Sequence, residues 1–375
     1  MKRVLAFVSE FPPFRGGIAT YALEVARAAH KLGHDITVIA PDYGKIHQSD
    51  REYVFRLIRY PGGQHSSRQI ASKIALVKRY ADSSKYDLIH GMDWPFVLPV
   101  ALGAKGVPRM YTIHGTDVVD MTSKLRRAAI HLTGAFRGDF EVVANSEFTR
   151  RLFVSKFPAV GPARVRHELL GVGSYWTEQQ APSECWRPQL GLPADKFVVV
   201  TVARVTPRKG HMTVLQALSL LPKAAKTRLC YAIVGPSKDA AYSAELQVQA
   251  DLCGVEVRRI GEVSNSDLRR IYASGDVFCL VGKPIPNGPV EGFGLVFLEA
   301  GGQGMPSIAG DIGGVREVVL DGYSGLVVPV DNPRAISESI LRLMEQPNDL
   351  ARLGAGARER AKSLSWERCA RATYG

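Results

Sequence analysis

Short runs of apolar residues recur along this chain and alternate with stretches of helical periodicity. The runs predict β-strands at 3–8, 35–40, 54–59, 87–90, 109–113, 141–144 and 164–169. After a break the pattern restarts, with strands at 197–203, 228–234, 256–260, 277–281, 306–309 and 325–328. Between the first two runs, 18–32 sets Tyr21, Leu23, Val25, Ala28, Ala29 and Leu32 on and near one helical face, and Gly33 ends it. Segments 334–345, 350–362 and the stretch from Ser365 close the chain as helices. Strand–helix alternation of this kind means βαβ units and a parallel, doubly wound sheet, here built twice.

A length of 375 residues supports two domains. The pattern divides as a first domain at 1–180, a linker at 181–194 that carries Pro182, Pro188 and Pro193, and a second domain at 195–362. A C-terminal helix at 363–375 is expected to pack back toward the first domain. The expected fold class is α/β, with two Rossmann-like domains facing across a cleft, because open α/β sheets bind ligands at strand carboxyl ends.

Composition narrows the field. Hydrophobic residues make up 46% and charged residues 22%, which excludes wholesale disorder. The five cysteines (Cys185, Cys230, Cys253, Cys279, Cys369) include no CxxC pair, so neither a zinc cage nor a disulfide framework is indicated, and a reducing cytoplasm is expected. The apolar run after Met1-Lys2-Arg3 is too short for a signal h-region, and no stretch approaches the roughly 20 apolar residues of a membrane span. Residues 1–180 carry 25 Lys+Arg against 16 Asp+Glu, and the remainder 23 against 20. The first half therefore faces something anionic, a membrane surface or a phosphorylated substrate, or it is simply kept soluble. Nucleic acid is not an expected partner, because the basic residues are spread over several helices without interleaved aromatics.

The strongest chemistry lies in Glu291-Gly292-Phe293-Gly294-Leu295-Val296-Phe297-Leu298-Glu299. Gly292 and Gly294 let backbone turn sharply and approach a ligand. A helix starting near Leu295 would aim its amides at a diphosphate. Glu291 precedes it and Glu299 lies about one turn inside; a carboxylate suits vicinal hydroxyls of a sugar or ribose. A capping Glu and a buried Glu would be the bland alternative, but a buried carboxylate needs a partner. Arg204 and Lys209 stand on the loop after the first strand of the second half, a fork and a point charge for phosphate oxygens, whereas Arg208 reads as solvated. Gly16 and Gly17 open the first strand–helix turn; this turn lacks G-x-G-x-x-G, which argues against NAD. His114 ends a strand before Gly115, and His90 ends the strand before that. Asn145-Ser146-Glu147 reads as a helix N-cap.

On these motifs the chain resembles the retaining family 4 glycosyltransferases of GT-B fold over nearly its whole length. The resemblance implies that Glu291 contacts the donor sugar, Glu299 the ribose, and the backbone of Gly294, Leu295 and Val296 the diphosphate, with Gly292 and Phe293 also on the donor side. It implies Arg204 and Lys209 as the diphosphate clamp, with Ala203 where the family usually has Gly. Gly16 and Gly17 would lie beside the distal phosphate and acceptor, His114 against the sugar and reacting centre, and His90 on the acceptor side. Val263 falls on the donor side, and Ser264-Asn265-Ser266 after it holds no acidic residue for guanine, which favours uracil.

No cofactor and no metal are expected, since there is no Asp-x-Asp and no metal-spaced cluster. The implied function is hexosyl transfer from a UDP- or GDP-sugar, with retention by a front-face path, to a lipid-linked or envelope-glycan acceptor. A soluble acceptor, a sugar-nucleotide epimerase or hydrolase, and a basic membrane- or polyanion-binding protein are the alternatives. Cytoplasmic placement, peripheral on the inner membrane face, is expected from the segment 122–137. There Leu125, Ala128, Ala129, Leu132 and Phe136 recur at helical spacing beside Lys124, Arg126, Arg127 and Arg137. The same stripe could instead pack on its own sheet.

Overall fold

A computed structural model of the protein describes the chain apart from residues 46, 64, 179–185 and 287. Within the expected linker, 181–185, including Pro182 and Cys185, lie outside the described residues. The chain forms two compact units. The first comprises Met1–Gly171, 288–293 and Ser365–Gly375; the second comprises Val172–Pro286 and Gly294–Leu364.

The strands of unit 1 are Arg3–Phe7 (β1), Asp35–Pro41 (β2), Arg56–Tyr60 (β3), Leu88–Gly91 (β4), Arg109–Ile113 (β5), Phe140–Ala144 (β6) and Val165–His167 (β7). They form one parallel sheet in the order β3-β2-β1-β4-β5-β6-β7. Val4 pairs with Ile36 on one side and Leu88 on the other. Val4, Leu5, Ala6 and Phe7 are all fully buried, which is why the strand reads as a continuous apolar run. β3 begins later than its pattern suggests, because Val54 is exposed. Leu5, Phe7, Ile39, Ile89, Tyr111, Ile113, Val142 and Phe153 are part of one core. The helix Gly17–Lys31 follows β1, and the helix Trp366–Tyr374 lies against it with a Lys31–Glu367 ion pair of 2.9 Å.

Unit 2 repeats the plan with Phe197–Val202 (β8), Leu229–Val234 (β9), Glu256–Gly261 (β10), Val277–Leu280 (β11), Ser307–Gly310 (β12) and Gly325–Val328 (β13). Their order is β10-β9-β8-β11-β12-β13, again all parallel. Val199, Tyr231, Ile233, Cys279, Ile308 and Ile336 are among its core. In each sheet the strand order reverses beside its first strand, between β1 and β4 and between β8 and β11. Loops leaving those strands therefore flank the crevice where such sheets take ligands. Both reversals carry the motifs singled out above.

Candidate active site

In unit 1 the turn after β1 runs into Gly16, the extended N-cap of the helix Gly17–Lys31. A Cβ on Gly16 would meet the Phe14 ring at 3.1 Å and the Glu10 carboxylate at 3.3 Å, whereas one on Gly17 would meet nothing within 4 Å. Gly16 is thus closely packed, and a side chain there would make Phe14 and Glu10 give way by a few tenths of an ångström. Gly17 leaves open space at a helix start, where a ligand can approach.

His114 follows β5 and is partly buried. Its Nε2 lies 2.9 Å from the Met92 carbonyl, so Nε2 carries the proton, and Nδ1 is left as an acceptor. Burial pushes the imidazole down to about 4, so the ring is neutral at physiological pH. The backbone N–H of His114 donates to Asp117 at 3.2 Å, and the Tyr21 ring stands edge-on to the imidazole at 4.8 Å. Gly115 turns the chain at φ +81°. There the loop 288–293 seats: Thr116 donates to the Val290 carbonyl at 3.2 Å, and a Cβ on Gly115 would lie 2.9 Å from the Gly292 Cα. Glu291 and His114, 177 positions apart, are brought together on one turn of unit 1.

His90 does not line a binding surface. It is fully buried, with Nδ1 2.9 Å from the Tyr374 hydroxyl and Nε2 2.8 Å from Thr112 Oγ1. Both ring nitrogens are spent inside the unit, which corrects the acceptor-side expectation. Arg126 is likewise drawn inward: it donates to the Asp120 carbonyl at 2.6 Å and sits 4.5 Å over the Trp94 ring. Phe136 leaves the expected stripe, because Gly134 ends the helix in the left-handed region and Phe136 joins Tyr111, Phe153 and Phe157. The N-cap in Asn145-Ser146-Glu147 is Ser146, which accepts from the Thr149 amide.

In unit 2, Arg204 is exposed on the loop after β8, and Lys209 is partly exposed at its far end. Gly210, at φ +76°, lets this loop close on the Val281 carbonyl at the end of β11, where any side chain would collide. Gly294 caps the helix Leu295–Gly302 at φ +98°, and a Cβ there would run into the Phe297 ring at 2.7 Å. The first amides of that helix have no intrahelical partner, and its first turn holds no acidic residue, so the end attracts anions. Glu299 accepts a 3.1 Å hydrogen bond from the Tyr272 hydroxyl, and burial pushes its carboxyl up to about 7. Glu262 and Val263 leave β10, two strand spacings or roughly 10 Å from the end of β8. The unit boundary falls inside the glutamate motif, with Glu291, Gly292 and Phe293 in unit 1 and Gly294, Leu295, Val296 and Glu299 in unit 2.

Sequence reasoning missed Tyr272, the partner of Glu299, and Tyr21 and Asp117 around His114. Tyr21 reads in the sequence only as part of a helical face, and nothing in local spacing distinguishes Asp117 or Tyr272. Among the described residues, no group of three or more His, Cys, Asp or Glu could hold a metal, and no helix is long and apolar enough to cross a membrane.

Two parallel doubly wound units, with a basic strand–helix loop and a glycine-capped helix at their carboxyl ends, define the GT-B class of fold. Residues 15–167 match the profile described as Glycosyltransferase Family 4, and residues 182–360 that of Glycosyl transferases group 1. The chain is 31% identical over 372 residues to the GDP-mannose-dependent alpha-(1-6)-phosphatidylinositol monomannoside mannosyltransferase of Mycolicibacterium smegmatis, covering 95% of this chain and 92% of that one. It is 30% identical over 312 residues to the D-inositol 3-phosphate glycosyltransferase of a Nocardioides species, covering 77% and 66%. Among solved structures, Anabaena Alr3699/HepE in complex with UDP superimposes with a TM-score of 0.82 at 21% identity, covering 99% and 98%. The protein belongs to glycosyltransferase family 4 and is a nucleotide-sugar glycosyltransferase.

Proposed function

We propose that the protein moves a hexosyl unit from a nucleoside diphosphate sugar, with retention and without a metal ion, to a lipid-linked or envelope-glycan acceptor. The observation that carries this reading is the seating of the Glu291 loop on the His114–Thr116 turn, which supports a sugar held by both residues. A sugar hydroxyl would donate to His114 Nδ1, and others to the Glu291 carboxylate. In the front-face path the bond from the anomeric carbon to the diphosphate breaks while the bond to the acceptor oxygen forms on the same face. The acceptor proton passes to the departing phosphate oxygen. Arg204, Lys209 and the helix start after Gly294 stabilise the charge that gathers there.

The more similar relatives bear GDP-mannose in their names, whereas Ser264-Asn265-Ser266 favours uracil; thermal shifts with UDP and GDP decide between the two. The acceptor side is supported by the helix Lys124–Thr133. Leu125 and Leu132 are 82% and 84% exposed, beside exposed Lys124 and Arg127. Such a face suits an anionic membrane, with each cation contributing on the order of 1 kcal/mol. The test is transfer from labelled UDP- and GDP-sugars to membrane lipid extract, with the anomeric configuration of the product read by NMR. An inverted product or an isomerised donor overturns the reading. Co-sedimentation with anionic vesicles, lost in Lys124→Glu/Arg127→Glu and at high salt, tests the membrane.

A further inference from the structure

Tyr272 lies in the last turn of the helix Asn265–Ser274, within unit 2, and only 1% of it is exposed. Its ring stands edge-on to Trp176 at 5.9 Å and to Phe278 at 6.0 Å. Trp176 is itself seated on the end of the helix Leu295–Gly302, which carries Glu299. Its carbonyl accepts from Gln303 Nε2, and a Cβ on Gly302 would lie 2.5 Å from that oxygen. Two rings therefore fix Tyr272 from either side. A phenylalanine would make both of these ring contacts. The hydroxyl needs its own explanation, because burying a phenol without a partner is costly.

That hydroxyl donates to Glu299 Oε2 at 3.1 Å, the one hydrogen bond of this carboxylate among the described residues. Burial holds the phenol well above its usual range, so it serves as a donor. The same hydrogen bond opposes the rise that burial imposes on the Glu299 carboxyl. It favours the ionised form, in which both oxygens accept. With Oε2 engaged, Oε1 keeps its full accepting capacity, and Glu299 is partly exposed. Glu299 stands four residues, about 6 Å, along the helix from Leu295. That span suits a nucleotide whose diphosphate meets the helix start and whose ribose hydroxyls reach Oε1.

We propose that Tyr272 is a positioning residue for the donor nucleotide. Its hydroxyl anchors Oε2 so that Oε1 presents to the ribose, and the protein thereby selects ribonucleoside over deoxyribonucleoside diphosphates. The proposal deepens the reading of Glu299 as the ribose contact and rests on it. What it adds is that the selection depends on a hydroxyl that never touches the nucleotide.

Titration calorimetry on the full chain tests it, with UDP, GDP and their 2′-deoxy and 3′-deoxy counterparts at pH 6, 7 and 8. Tyr272→Phe keeps the ring contacts and removes the donor, whereas Glu299→Gln keeps the shape and removes the charge. The wild type should bind the ribose form about ten-fold more tightly than one or both deoxy forms. Tyr272→Phe should weaken the ribose form about five-fold and hold the deoxy forms within about two-fold, which also shows that it is folded. The pH below which ribose binding weakens should move upward in that variant, because the ionised carboxylate has lost its donor. In a Glu299→Gln background the same substitution should change ribose binding by less than about two-fold. Equal weakening of ribose and deoxy forms, unchanged ribose affinity, or an unmoved pH dependence in Tyr272→Phe overturns the proposal. A ribose preference that survives Glu299→Gln overturns the reading of Glu299, and the proposal with it. A wild type that binds neither UDP nor GDP overturns the donor reading and everything built on it.

Discussion

The carbonyl oxygen of His114 stands 2.7 Å from where a Cβ on Gly292 would lie. Asn145 Nδ2 closes the same space at 3.0 Å. Gly292 is therefore a glycine because two segments of unit 1 meet there, backbone against backbone, and Glu291 owes its position to that junction.

Gly292→Ala should displace the Glu291 loop from the His114 turn. Overpacking of this kind costs about 1–3 kcal/mol. Transfer should fall sharply, while nucleoside diphosphate binding, which the proposed function assigns to unit 2, should stay near wild type by titration calorimetry. A variant with normal transfer would show that the junction does not position Glu291.

The two glutamates should separate by phenotype. Glu291→Ala should abolish transfer with nucleotide affinity retained. Glu299→Ala should weaken nucleoside diphosphate binding by about 1–3 kcal/mol, the range for a charge-assisted hydrogen bond. Reversed phenotypes in transfer and calorimetric assays would exchange their roles.

Glu299 also predicts a pH dependence. Its carboxyl is raised to about 7 by burial, so the folded protein holds a proton that the unfolded chain has already released above the ordinary glutamate range. Stability therefore falls as pH rises from about 4.5 to about 7, by about 3 kcal/mol across that window. Glu299→Gln should remove this decline, so urea unfolding at pH 5 and pH 8 should show a smaller difference than in the wild type. Nucleotide binding has the opposite sign. In the proposed role of Glu299, ribose hydroxyls would donate to the ionised form, so affinity should weaken as pH drops below about 7.

Activity should survive EDTA. In the proposed function Arg204, Lys209 and the Gly294-capped helix supply positive charge for a diphosphate in place of a cation. Loss of transfer on chelation, restored by Mn²⁺ or Mg²⁺, would contradict this.

Much of the architecture was legible in the sequence, because parallel strands buried on both faces must be apolar throughout. Runs such as Val4–Val8 and Phe197–Val202 therefore announce themselves without reference to distant residues. One glycine of the glutamate motif was legible for a related reason: Gly294 occupies left-handed backbone that few other residues tolerate. The Glu291–Glu299 motif stood out because carboxylates beside Phe297 and Leu298 need a purpose. Tertiary structure alone decided the rest. His90 and His114 both end strands before a glycine, yet one is spent on Tyr374 and Thr112 while the other keeps a free acceptor nitrogen. Arg126 and Arg127 are neighbours in a basic run, yet Trp94 takes one and solvent the other. Local sequence sets what backbone a residue can adopt and whether it belongs inside. Which partners reach it depends on segments tens to hundreds of positions away, and those meet only when the sheet closes.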